Sequence, residues 1–565
     1  MPNRPFTNPY LNLVLRYIGL LAVLYGYSLI IQHLGGFDTG HIYFQWLEIV
    51  FVLYFYSLFY FLLRPFAWRG LLAAVPILLV YLVHDEFFLV YGKVFRIINV
   101  SELPELLQIL PLHETLLLLL ALLLPLGLIL WHTNYRRPRL IALWVMPLLL
   151  LVVSVESMPA AFASGFREVA HRIVKYSDGK SVENNGRLAM MFFREAERVN
   201  VVDKIAPYRN RAAYDAAFKN KTASLAPHIN HHNVHLIILE SFLDPTLFHD
   251  LGFNKSPMYP DFAKLVGNKM SLSLSPVFGG STSQAEFEAL CGVPAFEKLS
   301  SVEFNVFTGS AAHCLPDLLA HLGYRSVASN AYKPNFFNTI PAYDGMGFQE
   351  HYFPVEFYAA HPSYLHFGDP GVEEYMFDAK LFAQNEAFVR QHLQRHKNKP
   401  LFNYLLTIYG HTPHILNPKK RPQVIKLKSH YPDDHLTRST NQFYYRTQAL
   451  AHHVRELIKM DPNSLIIFMS DHVPPLRNGP NTYNALHYMD NIKNSYYYNR
   501  IAIFVNGHIK HYPTLHHYDI PSVILDYLTD GTYCKQHTCD YLQHQQKPRE
   551  AYLPAYLRLM ANASE

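Results

Sequence analysis

Hydrophobic and polar positions follow two regimes along this chain. Up to about Val155 the sequence runs in long stretches of Leu, Val, Ile, Phe and Tyr; beyond that the apolar runs shorten and end on polar groups. A helix that crosses a bilayer needs about 20 apolar residues. Five stretches read as spans: Tyr17–Phe37, Ile49–Leu63, Leu71–Val83, Thr115–Thr133 and Leu140–Val155. The third is the weakest, because it runs into Asp85-Glu86. Their recurrence excludes a cleaved signal peptide. Glu48, near a span end, reads as a carboxylate that snorkels to the interface, with a functional carboxylate as the alternative. Val100–Pro111 reads either as an amphipathic helix on the membrane surface or as a loop.

Charge orients these spans. Arg4, Arg64, Arg69, Arg136, Arg137 and Arg139 fall on alternate sides from the loop His33–Tyr43, which has no Lys or Arg. The positive-inside rule puts the N-terminus in the cytoplasm, and an odd number of spans puts everything after Ser157 outside. Lys93 and Arg96 fall on the outer side, offset by Glu102 and Glu105. The layout expected is a transmembrane domain of five helices over 1–157 and a juxtamembrane helical connector over 158–227. An extracytoplasmic catalytic domain over 228–530 and a C-terminal tail over 531–565 follow. Within the connector, the run from Asn185 to Glu195 carries a helical apolar stripe.

The second half alternates short buried strands with helices. Val234–Leu239 ends on Glu240, Leu401–Leu406 leads to His411, Ser464–Ser470 ends on Asp471-His472, and Arg500–Asn506 is a further strand. Helical segments separate them at Ala312–Leu322, Ala379–His396 and Asn441–Met460. This alternation predicts an α/β domain with a mostly parallel central sheet covered on both faces. Ligands of such sheets bind outside the carboxyl ends of the strands. One carboxylate there is usually a cap or a turn former, but Glu240, Asp471-His472 and His411 all follow strongly apolar strands. Glu, Asp and His together make a mixed oxygen and nitrogen site suited to Zn²⁺ or Mn²⁺. Gly279-Gly280-Ser281-Thr282 precedes a helix, whose N-terminus favours an alkoxide or a phosphate. Taken alone, Thr282 reads as a helix cap.

Composition adds two limits. A net charge of +5 with scattered basic residues implies no nucleic-acid partner. Four cysteines, Cys291, Cys314, Cys534 and Cys539, allow three pairings and match no CxxC metal pattern. Cys534 with Cys539 would close a short loop, and Cys291 with Cys314 a second. Four free thiols are the alternative, and an extracytoplasmic setting favours disulfides.

In order, Leu-Glu240-Ser, Gly-Gly-Ser-Thr282-Ser-Gln-Ala-Glu-Phe, Gly-His411-Thr-Pro and Ser-Asp471-His472 resemble the lipoteichoic acid synthase and phosphoglycerol or phosphoethanolamine transferase group. That group belongs to the sulfatase and alkaline-phosphatase superfamily. The late segment His517-Tyr-Asp519-Ile-Pro-Ser-Val-Ile-Leu and the N-terminal spans also resemble it. The resemblance implies one divalent metal, Zn or Mn, held by Glu240, Thr282, Asp471 and His472. Thr282 is then the nucleophile, and His411 contacts the phosphoryl group or its acceptor. It further implies a bacterial inner-membrane enzyme with a phospholipid donor and a phosphothreonine intermediate. The acceptor is an envelope glycan, lipopolysaccharide or surface protein. Phe337, Asn338 and His487 are the substrate-side candidates. The stretch Asn335–Thr339 lacks the Arg of the lipoteichoic acid synthases, which shifts the expected headgroup from phosphoglycerol toward phosphoethanolamine. Cys314-Leu-Pro-Asp-Leu lacks the Arg of a sulfatase formylglycine motif. The alternatives are a phosphodiesterase using the same site and a catalytically degenerate lipid-sensing protein.

Overall fold

A strand that is apolar at every position, such as Val234–Leu239, has no solvent face and needs cover on both sides. The computed structural model describes residues 9–35, 39–91, 94–173, 178–334, 336–359, 361–368, 373–428, 431, 433–490, 492–543 and 547–565. Arg4, Lys93, Asn335 and the Phe37 end of the first expected span lie outside the described residues. The chain divides into two compact units, 1–204 and 205–565.

The second unit is built on one nine-stranded sheet. Its strands are β1 (Val234–Leu239), β2 (Ser271–Leu274), β3 (Arg325–Asn330), β4 (Glu350–Tyr352), β5 (Leu401–Leu406), β6 (Leu465–Ser470), β7 (Tyr498–Val505), β8 (His508–Lys510) and β9 (Leu515–His516). The order is β4-β3-β5-β1-β6-β7-β2-β9, with β8 paired to β7. The five strands from β4 to β6 are parallel, and β7 runs against both β6 and β2. Residues of β1, β5 and β6 are buried throughout, as their uninterrupted apolar sequences require. Val234 sits opposite Phe402 on one side and Leu465 on the other. From β1 the chain leaves to one side for β2 and returns on the other for β3. β1 is therefore the switch point, outside whose carboxyl end a crevice opens.

Helices Asp378–Arg395 and Asp434–Met460 pack together among those that cover the sheet. Disulfides join Cys291 to Cys314 and Cys534 to Cys539. Residues 531–543 and 547–565 belong to this unit. Tyr556, on the helix Leu553–Ala563, is buried and donates to Glu303 Oε1 at 3.0 Å.

Among the described residues of the first unit, four helices are long and apolar enough to cross a membrane: Leu11–His33, Arg69–Phe88, Leu112–His132 and Pro138–Ser157. Trp46–Leu62 is apolar but only 17 residues long. The weak member of the series is thus the second, not the third, and five equivalent spans are not observed among the described residues. Asp85 reads as a break in the sequence, yet the helix continues to Tyr91. Arg187 removes the cost of the buried charge: Nε and Nη2 donate to the two Asp85 oxygens, both at 2.7 Å. Val100–Pro111 is folded as a 3-10 turn ending at Glu102 followed by the helix Leu103–Ile109.

Glu48 does not snorkel; it is fully buried. It accepts from Tyr81 Oη at 2.6 Å and from the backbone N–H groups of Leu188 and Ala189 at 3.1 and 3.0 Å. Those are first-turn donors of the helix Arg187–Lys204, which have no partner within their own helix. A carboxylate at that end also meets the positive pole of the helix dipole. Gly186, at φ +93°, makes the approach possible, since a Cβ there would collide with the Glu48 side chain. The polar stretch 158–227 is folded as helices Pro159–Val169, Asp178–Asn185, Arg187–Lys204 and Arg211–Leu225, and the unit boundary falls after the third.

The docking of Arg187 yields a stability test. Arg187→Leu leaves the buried Asp85 carboxylate without its cation, with His84 and Tyr27 still beside it, and breaking a buried pair costs about 3–5 kcal/mol. Arg167→Ala removes an exposed pair with Glu197, worth less than about 1 kcal/mol. Thermal unfolding of the detergent-solubilised chain should separate the two variants clearly; equal shifts would refute the assignment.

Candidate active site

The carboxyl ends of β1 and β6 are stitched together by short polar contacts. Ser470 Oγ accepts from the Phe242 N–H at 3.0 Å and donates to the His472 carbonyl at 2.6 Å. Asp471 Oδ1 accepts from the N–H groups of Ser241 and His472 at 2.7 and 2.6 Å. Ser241 Oγ donates to Glu240 Oε1 at 2.8 Å. Thr282 enters from a third direction, as the first residue of the helix Thr282–Cys291. The turn before it holds Gly279 and Ser281 in the left-handed region, at φ 74° and 62°. This turn brings Thr282 Oγ1 within 2.9 Å of Glu240 Oε2 and 2.8 Å of Asp471 Oδ2.

That arrangement is short of positive charge. One hydroxyl has one proton to donate, yet two buried carboxylates face it. Nδ1 of His472 donates to the Val473 carbonyl at 3.0 Å, which turns Nε2 toward Asp471 Oδ2 at 3.2 Å and Glu240 Oε1 at 3.9 Å. Ligand atoms of Glu240, Asp471 and His472 all lie within 4.8 Å of one another. Burial, with the Glu240 charge beside it, pushes the Asp471 carboxyl well above its ordinary range. Burial opposes ionisation of Glu240 too, but His411, His472 and two hydroxyls hold it below its usual range. A divalent cation matches this donor set and relieves the repulsion.

His411 is half-buried beside this group. Its Nδ1 donates to the Thr412 carbonyl at 2.8 Å, which fixes the orientation of the ring. Tyr375, itself buried, lies 3.1 Å from Nδ1 through its hydroxyl. Phe337 and Asn338 form a left-handed pair at φ 48° and 55°. The Asn338 amide is committed to the carbonyls of Phe304 and Phe307, at 2.7 and 2.8 Å. His487 does not join the group: it is 60 % exposed and pairs with Asp250 at 2.5 Å.

Arg446 carries no signal in the sequence, whereas Glu286 and His517 stand in the quoted motif stretches without a role of their own. Arg446, from the middle of a long polar helix, is buried under Glu240. It donates to the Glu240 carbonyl at 2.7 Å, to Asp378 Oδ2 at 2.6 Å and to Thr407 Oγ1 at 3.2 Å. Thr407 in turn accepts from the Glu240 N–H at 3.0 Å. Glu286, one turn beyond Thr282, accepts from Tyr343 and Tyr404 at 2.7 and 2.6 Å. It ties the helix of Thr282 to β5 and to the helix Thr339–Met346. His517 is fully buried near His472, and burial lowers it to about 3, so it is neutral.

Burial pushes Glu286 to about 7, Glu288 to about 8 and Glu303 to about 7. The folded chain then binds protons that the unfolded chain has released, so stability falls as pH rises from about 4.5 toward 8. Melting temperatures at about pH 5.5 and pH 8 should differ in that sense. Glu286→Leu orphans two buried tyrosine hydroxyls at about 1–3 kcal/mol each, whereas Glu286→Gln keeps a carbonyl acceptor. Calorimetry should rank Gln well above Leu.

Comparison with known proteins bears on the same residues. The curated "Putative cyclic beta-1,2-glucan modification protein" of Rhizobium meliloti is 25 % identical over 272 residues. That stretch is 46 % of this chain and only 38 % of the relative, so this chain spans well under half of that protein. Two solved structures are similar in fold. The lipoteichoic acid synthase LtaP of Listeria monocytogenes is 17 % identical, covers 55 % of this chain and 78 % of its own, and has a TM-score of 0.43. The phosphoglycerol transferase GacH of Streptococcus pyogenes is 16 % identical, covers 62 % and 91 %, and has a TM-score of 0.46. A family model described as Sulfatase matches residues 232–529, just over half of the chain and the whole set of converging residues described above; the chain belongs to the sulfatase family.

Proposed function

We propose that the chain is a membrane-bound, metal-dependent transferase that moves a phospholipid headgroup, phosphoethanolamine in preference to phosphoglycerol, onto a cell-envelope acceptor. The observation that carries this reading is the Thr282 hydroxyl at a helix N-terminus, touching both Glu240 and Asp471. Glu240, Thr282, Asp471 and His472 would hold one Zn²⁺ or Mn²⁺, whose charge favours the deprotonated Thr282 oxygen and neutralises the phosphoryl group. Thr282 Oγ1 gives its proton to the carboxylate pair and attacks phosphorus. The bond from phosphorus to the diacylglycerol oxygen breaks, and that oxygen takes a proton from His411 Nε2. An acceptor hydroxyl then returns a proton to His411 and displaces Thr282, whose oxygen recovers its own. The helix N-terminus and the surrounding N–H groups hold the anionic phosphoryl group in line.

The anchor fits a lipid donor, because apolar helices on the same chain tether it to a membrane. The fifth span is supported by a backbone pairing: Arg64 N–H donates to the His132 carbonyl and Asn134 N–H to the Leu62 carbonyl, both at 2.8 Å. The ends of Trp46–Leu62 and Leu112–His132 therefore lie at one level. A 17-residue helix spans about 25 Å, the lower limit for a crossing. Arg64, Arg69, Arg136, Arg137 and Arg139 belong to the segments at that level, and by the positive-inside rule this charge supports the reading that the level is cytoplasmic and the catalytic domain extracytoplasmic. The glucan in the name of the Rhizobium relative fits a glycan acceptor; lipopolysaccharide and surface proteins present the same hydroxyl chemistry.

Intact mass spectrometry of the full chain in detergent, after incubation with phosphatidylethanolamine or phosphatidylglycerol, tests this. A headgroup-phosphate adduct on Thr282, absent in Thr282→Ala and after EDTA, is expected, with turnover lowered at least a thousandfold by Thr282→Ala. An adduct that water clears without any modified acceptor indicates a phosphodiesterase. No adduct and unchanged turnover in Thr282→Ala would remove the nucleophile and the proposal with it.

A further inference from the structure

The loop that leaves His411 turns strongly basic. Between Tyr409 and Asp433 there is no Asp or Glu, and residues 417–428 hold five Lys or Arg. Arg421 points inward, where Nε donates to Tyr409 Oη at 2.8 Å and the guanidinium pairs with Glu373. Lys419, Lys420, Lys426 and Lys428 stay exposed, and none of the four has an ion pair among the described residues. The backbone beneath them is pinned. Asn441 Oδ1 accepts from the Val424 and Ile425 N–H groups, both at 2.8 Å, and Asn254 Oδ1 accepts from the Lys426 N–H at 2.8 Å. Tyr445 donates to the Pro422 carbonyl at 2.7 Å, and the Lys428 N–H to the Gly252 carbonyl at 2.8 Å. The exposed acids at either end are taken up elsewhere: Asp434 by Arg438, and Asp250 by His249 and His487.

The same loop holds an apolar side chain out of the protein. Ile415 follows His411 by four residues and precedes Lys419 by four, and it is 51 % exposed. Its carbonyl accepts from Gln442 at 3.3 Å, and the Pro413 carbonyl accepts from Arg438 at 3.0 Å, so the backbone on which it stands is fixed. Among the described residues of 205–565, Ile415 and Leu542 are the only large apolar side chains left exposed. One exposed isoleucine by itself calls for no explanation. One held out on the same loop as four lysines without ion pairs has the composition of an interfacial membrane contact.

We propose that Ile415 with Lys419, Lys420, Lys426 and Lys428 is a docking surface for an anionic bilayer. The isoleucine enters the headgroup layer, and the ammonium groups meet lipid phosphates. Each ammonium close to an anionic bilayer raises affinity about fivefold. The attraction fades within a Debye length, about 8 Å at physiological salt. It therefore serves a chain already held at a membrane, and the apolar helices of the first unit supply that tether. An anionic polymer would pair with the lysines but has no use for Ile415, which favours lipid. Because the surface lies on the loop of His411, docking would bring lipid headgroups to the rim of the candidate active site. It rests on the membrane-bound part of the transferase reading and not on which headgroup moves. The alternative is a basic loop that is simply solvated.

The test uses the full chain in nanodiscs. All four native cysteines are in disulfides, so Ile415→Cys or Leu542→Cys gives one reactive thiol for an environment-sensitive fluorophore. In discs of equal parts phosphatidylglycerol and phosphatidylcholine, the label on Ile415→Cys should shift to the blue and be quenched by a lipid carrying a headgroup nitroxide. The label on Leu542→Cys should do neither. Quenching at Ile415→Cys should fall at least about fivefold in pure phosphatidylcholine, in molar salt, and when Lys419, Lys420, Lys426 and Lys428 are all changed to Gln. Those side chains are exposed, so the lysine variant should melt like wild type. The docking is overturned if the Ile415→Cys label in anionic discs is quenched no more than the Leu542→Cys label, or if the lysine variant is quenched as strongly as its parent. Protection of the label by a soluble anionic polysaccharide in detergent, with no quenching in discs, would assign the surface to a polymer and overturn it too. Phospholipid labelling of Thr282 is read in detergent, without a bilayer, so its loss would bear on the transferase reading and leave the docking standing.

Discussion

Two carboxylates, Glu240 and Asp471, are buried within hydrogen-bond distance of one threonine hydroxyl, and much of the catalytic unit is arranged around that repulsion. Burying like charges side by side is costly unless something positive compensates them. Part of the compensation is fixed: the N–H groups of Ser241 and His472 aim at Asp471, and the Ser241 hydroxyl aims at Glu240. Part comes from the sheet. Because β1 sits at the switch point between β5 and β6, three parallel strand ends deliver these groups to one crevice without any long loop. What remains is the charge a divalent ion supplies.

The layer behind the site follows the same logic of paired burial. Arg446 neutralises Asp378 and uses its remaining donors on the Glu240 carbonyl and the Thr407 hydroxyl. A Cβ on Gly410 would strike both the Glu240 carbonyl and the Arg446 guanidinium, so glycine is what lets the loop carrying His411 lie this close. Glu286 does for the helix of Thr282 what Arg446 does for the strand of Glu240. It fixes the helix against two tyrosines from different elements. In the N-terminal unit, Glu48 and Asp85 have the same character: each is a buried acid matched by donors from the polar segment after the spans.

The strands and the strand-end residues were legible because they are local. An apolar run of six residues followed by Glu240 or by Asp471-His472 states both the strand and its polar terminus. The glycine pair before Thr282 announces a tight turn into a helix. The partners of these groups were not legible, because they arrive from distant points of the chain. Nothing in the helix Asp434–Met460 separates Arg446 from Arg438, yet the first is buried beneath Glu240 and the second pairs at the surface with Asp434. The misreading of Asp85 as a helix break and of Glu48 as a snorkelling group has that cause. A charge in an apolar run looks like a boundary until its partner, here Arg187 or the first turn of the helix behind it, is known.

The same distinction shapes how the substrate side should be read. In the stretch around Phe337 and Asn338, the asparagine amide is occupied with the carbonyls of Phe304 and Phe307, so it builds the loop. What the loop and its surroundings offer instead is aromatic surface. Tyr332 lies 5.2 Å from Phe336 and 6.1 Å from Tyr375, whose hydroxyl reaches His411. The Thr339 hydroxyl turns back to the Phe336 carbonyl. Aromatic faces attract a cationic headgroup and lack the forked donors that suit an anionic or polyhydroxyl one. In the proposed transferase, a preference for ethanolamine over glycerol would rest on these rings beside His411.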